Sequence, residues 1–206
     1  MENNKITLID AGARFGPHPS WQELFNSGLT IIHAFEPEED EYNWLKNKFA
    51  GNIDYKINKF ALGDKEEILS LNIHKHKGQT SFFEPALNSD WFREVRKEDA
   101  EIVAKQEDIK VITAENYIDS LINQNQQMPR FLKTDTEGYD YFVIRGFGKY
   151  LKNVHAVRTE IHFQEVFKES PKFTDLFSLL SENGFRLANL DYEGSGVQQS
   201  YFVPHH

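Results

Sequence analysis

The stretch Lys5 to Gly16, KITLIDAGARFG, constrains the fold of this 206-residue chain more than any other. Ile6, Leu8 and Ile9 form a short apolar run, the length of one buried strand. Asp10 closes the run, Gly12 and Gly16 punctuate a tight turn, and Trp21, Leu24 and Phe25 then recur at helical spacing. Strand, glycine-bearing turn and helix make the first half of a nucleotide-binding βαβ unit. Glycine serves in such a turn because the backbone can approach a ligand with no Cβ in between. A dinucleotide loop reads G-x-G-x-x-G. Here Arg14 stands at the second glycine, where a pyrophosphate would need close backbone approach, and this argues against NAD or FAD. Taken alone, these residues fit an ordinary strand and turn equally well.

Composition excludes several other classes. The net charge of −9 argues against generic nucleic-acid binding, because a protein that tracks phosphates carries a basic surface. No apolar run approaches the roughly 18 residues of a membrane helix, and MENNK lacks the apolar core of a secretory signal. The absence of cysteine removes disulfides, thiolate zinc sites and cysteine nucleophiles. A cytoplasmic protein with no nucleic-acid and no membrane partner is expected.

Downstream, strand and helix patterns alternate. A helix over His18 to Ser27 leads to the apolar run Thr30 to Phe35, closed by Glu36-Pro37. Glu36 lies 26 positions after Asp10, where an acid at the tip of a second strand accepts hydrogen bonds from ribose hydroxyls. A helix-start acid beside Glu38, Glu39 and Asp40 is the alternative. Tyr42, Leu45 and Phe49 mark a helix, and alternation from Ile53 marks a strand running to Phe60. In the following Ala61-Leu62-Gly63-Asp64, either Ala61 and Leu62 face an adenine ring or Gly-Asp turns a plain hairpin into Glu67–Ile73. His74 and His76 read as solvated loop residues and Trp91 to Lys105 as an exposed helix; the span 74–106 is a candidate insertion or lid in one domain covering 1–206. Strands are expected over Asp108–Thr113, Phe131–Asp135, Val154–Phe163, Phe185–Tyr192 and Gln198–Val203. Helices are expected over Ala114–Asn123, Tyr139–Lys149 and Lys172–Asn183.

This order predicts an α/β fold, with helices on both faces of a seven-stranded, mostly parallel sheet that ends in an antiparallel hairpin. It resembles the Rossmann-like fold of class I S-adenosylmethionine-dependent methyltransferases, whose first motif Asp10-x-Gly12-x-x-x-Gly16 matches. LIDAGARFG, HAFEPEEDEYNWLK, FALGD, GQTS, FLKTDTEGYDYFVIRG and VRTEIH, in that order, resemble the FkbM-type methyltransferases from about Ile6 to His162. The resemblance implies methyl transfer from S-adenosylmethionine, commonly to a hydroxyl on a sugar or other small natural product. It places Asp10, Gly12 and Gly16 in the cofactor loop, Glu36 with Pro37 at the ribose, Ala61 and Leu62 at the adenine, and Asp135 near the methyl group. Arg14 stands where the family more often has Asn; it either pairs with the methionine carboxylate or projects into solvent. The N-terminal helices common in related enzymes are missing, which leaves the site open or completed by another subunit. A non-catalytic module on the same fold and an NAD-linked oxidoreductase are the competing classes.

A hydroxyl acceptor must lose a proton, so a base or a metal is expected. Asp135 and Glu137 at one strand end, and Glu160 and His162 at a neighbouring one, can converge because residues i and i+2 share a face. His162 as base, a divalent cation on the carboxylates, and a structural polar network all remain open.

Overall fold

A computed structural model describes residues 5–75, 80–89, 103–192 and 197–205. Strand β1 (Ile6–Ala11) leads through the glycine turn to α1 (Pro19–Asn26), then β2 (Thr30–Phe35), α2 (Glu39–Lys48) and β3 (Tyr55–Asn58). Short β4 (Ala61–Gly63), β5 (Glu67–His74) and long β6 (Val103–Thr113) follow. Then come α3 (Ala114–Asn123), β7 (Phe131–Thr134), α4 (Asp140–Arg145), a 3-10 turn (Gly148–Asn153), β8 (Ala156–His162), α5 (Phe173–Glu182), β9 (Phe185–Tyr192) and β10 (Val197–Pro204).

The main sheet has seven strands in the order β3-β2-β1-β7-β8-β10-β9. β10 runs antiparallel to both neighbours, and the pairs from β3 to β8 are parallel. β1 lies near the centre and alternates between two cores. Leu8 packs with Phe25 and Leu45 of α1 and α2, while Ile9 and Ala11 pack with Ile118 and Val143 of α3 and α4. Being covered on both faces, β1 needs apolar residues at successive positions rather than a strict alternation. Each fully buried large side chain here contributes about 1.5–3 kcal/mol. The predicted α/β architecture with a reversed C-terminal strand is the observed one.

Local expectations changed where long-range pairing outweighed local pattern. β4 and β5 do not form a hairpin: β4 pairs parallel with β6 and β5 pairs antiparallel with β6, giving a second sheet in the order β4-β6-β5. β6 begins at Val103, so the helix expected to reach Lys105 does not; its earlier part, Trp91 to Ile102, lies outside the described residues, as does His76. His74 ends β5 and is buried, not a solvated loop residue. The helix expected over Tyr139–Lys149 stops at Arg145 and resumes as a 3-10 turn whose first residue, Gly148, has φ +49°. No helix among the described residues is long and apolar enough to cross a membrane.

Gly12 sits at φ +74°, and a Cβ there would run into the Asp135 carbonyl. Gly28 has a similar φ of +68° with open space around it. Gly28→Ala should therefore cost only the backbone term, about 1 kcal/mol. Gly12→Ala should cost at least about 2 kcal/mol, because the clash adds to the strain. Urea unfolding of the two variants measures the difference.

Candidate active site

A cavity of about 420 Å³ opens at the carboxyl ends of β1, β2 and β7. Its floor is the glycine turn, in which Gly12, Phe15 and Gly16 all have positive φ. Backbone N–H groups of Gly12 and Ala13 both donate to the Phe35 carbonyl at 3.1 Å, tying the turn to the end of β2. Lys133, buried on β7, donates to the Gly12 carbonyl at 2.7 Å and pairs with Asp10 at 3.1 Å and Asp135 at 3.7 Å. Burial disfavours its ammonium, yet Asp10 and Asp135 outweigh that penalty and raise its pKa. Asp10 therefore lies beneath the loop as Lys133's partner and does not line the cavity. Gly12, Gly16, Glu36, Pro37, Ala61, Leu62 and Asp135 all line it.

Glu36 follows β2 and is 5 % exposed. Its Oε1 accepts the Glu38 N–H at 3.0 Å. Burial pushes its carboxyl up to about 7, against the lowering effect of Arg14. Arg14 lines the cavity and does not project into solvent. Its guanidinium forms an ion pair with the buried Glu38 carboxylate and reaches the Thr80 hydroxyl at 3.4 Å. On the far wall, Ala61 and Leu62 of β4, Leu71 of β5 and Phe82 present an apolar surface.

At the other end, carboxylate oxygens of Asp135, Glu137 and Glu160 lie within 4.8 Å of one another. Asp135 and Glu137 line the main cavity. Glu160 and His162 line a smaller neighbouring cavity with Asp140 and Phe173. His162 Nε2 stands 3.5 Å from Glu160 Oε2. Burial, reinforced by Asp135, pushes the Glu160 carboxyl up to about 7. For His162 burial opposes charge, but the adjacent Glu160, with Asp140 and Asp135, raises its pKa above the ordinary value. Glu137 holds φ +51° ahead of Gly138 at φ +90°, and the Ser81 hydroxyl clasps its carbonyl at 2.6 Å. The four residues expected at the strand ends are thus brought together, with His162 behind Glu160 rather than at the main cavity.

Among the cavity residues that carried no site role in the sequence reading are His18, Phe82, Lys133 and Thr136. Lys133 was visible in Lys133-x-Asp135-x-Glu137-Gly138, since its i, i+2 relation to Asp135 puts both on one face. His18 was signalled only by its place between Pro17 and Pro19 at a helix start.

A parallel sheet with one reversed strand, whose first loop and second-strand acid border a cavity of this kind, defines a Rossmann-like cofactor-binding protein. The family model described as Methyltransferase FkbM domain matches residues 10–187. The chain belongs to that family of methyltransferases. Among solved structures, it is similar to a magnesium protoporphyrin IX methyltransferase from Synechocystis PCC 6803 with bound SAM, at 9 % identity and TM-score 0.46, covering 98 % of this chain and 71 % of that one. It is also similar to TYW2 from M. jannaschii in complex with AdoMet, at 12 % identity and TM-score 0.39, covering 100 % and 72 %. A ribosomal protein L11 methylase from Lactobacillus delbrueckii subsp. bulgaricus matches at 13 % identity and TM-score 0.38, covering 99 % and 72 %. No curated protein matches the chain.

The Arg14–Glu38 pair makes a stability prediction. Arg14→Ala leaves the Glu38 carboxylate buried without its cation and should cost about 3 kcal/mol, the scale for breaking a buried pair. Adding Glu38→Gln should recover most of that loss. Urea unfolding without ligand reads both, and full stability in Arg14→Ala would show that the pair contributes nothing.

Proposed function

We propose that the chain methylates a hydroxyl oxygen on a sugar or another small natural product. The observation that carries this reading is the carboxylate cluster at one end of the cavity, Asp135 with Glu137 and Glu160. The residues present suit S-adenosylmethionine as the methyl donor. Glu36 is a buried acid at the mouth of β2 with one oxygen uncommitted to the backbone, suited to accept two ribose hydroxyls. Ala61, Leu62 and Phe82 offer an apolar wall to the adenine. The donor supplies a sulfonium methyl group, an electrophile that needs an aligned nucleophile.

The chain's own task is to orient the acceptor oxygen and take its proton. Asp135 reaches the cavity and accepts the hydroxyl's hydrogen bond. Asp135 and the other two carboxylates, Glu137 and Glu160, lie within 4.8 Å of one another and cannot all be ionised cheaply, so the cluster has room for a proton. His162, held by Glu160, positions that carboxylate and is not itself the base. Thr80 and Phe82, in the described stretch 80–89 of the span 74–106, reach the cavity. A second reading has a divalent cation held by Asp135, Glu137 and Glu160 and polarising the acceptor oxygen.

Glu160→Gln should lower turnover by about 10²-fold, the scale of a positioned proton acceptor, with S-adenosylhomocysteine affinity unchanged. Under the cation reading chelator abolishes activity and Mg²⁺ or Mn²⁺ restores it. Full turnover in Glu160→Gln with chelator present would overturn both, and a screen of sugar and natural-product hydroxyls identifies the acceptor.

Glu36 supplies a pH dependence. A group whose pKa is raised on folding adds stability below its unfolded value, and that contribution is lost as pH rises through the folded value, here about 7. Ligand binding runs the opposite way, because ribose hydroxyls need the carboxylate. S-adenosylhomocysteine affinity should therefore fall as pH drops through about 7, approaching tenfold per pH unit. In Glu36→Gln binding should be weaker and that slope absent; calorimetry between pH 6 and 8, roughly one unit either side of that value, decides.

A further inference from the structure

The two cations that line the cavity each have carboxylate partners within the protein. Arg14 is paired with Glu38, and Lys133 is divided among Asp10, Asp135 and the Gly12 carbonyl. S-Adenosylmethionine ends in an amino acid, whose ammonium finds acids at the Asp135 end but whose carboxylate needs a donor. His18 is built as one. It is the N-cap of α1, and its Nδ1 accepts the Ser20 N–H at 3.1 Å. A backbone N–H can only donate, so Nδ1 is the unprotonated nitrogen and Nε2 carries the proton. Pro17 and Pro19 restrict the backbone on either side, and the ring lines the cavity together with Gly16 and Asp135.

We propose that His18 binds the carboxylate of the methyl donor's amino-acid tail through Nε2–H. The proposal rests on S-adenosylmethionine being the donor and deepens that reading by assigning the anion's partner. Two alternatives for the ring fail on chemistry. It is not a base, because its lone pair is spent on the Ser20 N–H. Nor does it suit the attacking oxygen, since an N–H donor there would occupy the lone pair that must reach the methyl group. Burial, with the charges of Arg158 and Lys133, lowers its pKa to about 4, which keeps the imidazole neutral and the tautomer fixed.

The test uses calorimetry with S-adenosylmethionine and its decarboxylated analogue, which differ only in the carboxylate, on wild type, His18→Asp and His18→Asn. Both replacements are good N-caps, so α1 keeps its start, and melting temperatures check this. Wild type should bind S-adenosylmethionine about tenfold or more tightly than the analogue, as a hydrogen bond to a charged group warrants. His18→Asp should lose that preference or reverse it. His18→Asn, which keeps an N–H donor, should lie between. The same preference in His18→Asp as in wild type overturns the proposal, as does wild-type affinity equal for the two ligands. Failure of wild type to bind either ligand overturns the donor assignment itself, and the proposal with it. Unchanged binding in His18→Asp with a raised KM for the acceptor would move His18 to the acceptor and likewise overturn it.

Discussion

One buried ammonium holds the site together. Lys133 joins the end of β1 through Asp10, the glycine turn through the Gly12 carbonyl, and the strand end of β7 through Asp135. Desolvating such a charge costs several kcal/mol, and the cost is met only because three oxygens close around it. The consequence is geometric. The loop beneath the donor and the carboxylate at the reacting end are fixed relative to each other by one side chain, within a sheet whose strands are already in register. Gly12 completes the arrangement, since its bare Cα lets the turn lie against the Asp135 carbonyl.

Around that anchor the cavity divides by chemistry. The β2 and β4 side offers a buried acid and apolar surface, suited to a ribose and an adenine ring. The β7 and β8 side gathers carboxylates, suited to cationic and proton-losing groups. Backbone strain is present at the same place. Phe15 and Glu137 are non-glycine residues with positive φ, one on each of the two loops that border the cavity. Such conformations cost about 1–3 kcal/mol each and persist where surrounding contacts determine them. For Glu137 the Ser81 hydroxyl is one such contact, and it links the second sheet's connection to the carboxylate end of the site.

Much of this was legible from sequence because it rests on local periodicity and on residues with few alternatives. Continuous apolar runs marked β1 and β2, the Phe131 run marked β7, and helical spacing marked α3 and α5. Glycines at the turn and acids at strand tips marked the cavity floor and both of its ends. The sequence reading went astray where a partner distant in the chain decides. Val103–Lys105 is polar enough to read as an exposed helix, yet it pairs with His74 and Ile73 as a strand. Gly63-Asp64 has the residues of a hairpin, yet β6 inserts between β4 and β5 because its apolar Ile109 and Val111 face Leu71 and Ala61.

The sequence by itself determined the α/β class, the order of strands and helices, and the motifs that mark the family, since each depends on neighbours within a few positions. Only the tertiary structure decided what each charge does. Arg14 and Glu38 are separated by 24 positions, and Lys133 lies 121 positions from Gly12, so nothing local announces either contact. Which charge is spent in an ion pair and which is left to meet a ligand depends on distance and burial, and these exist only once the strands have been brought side by side.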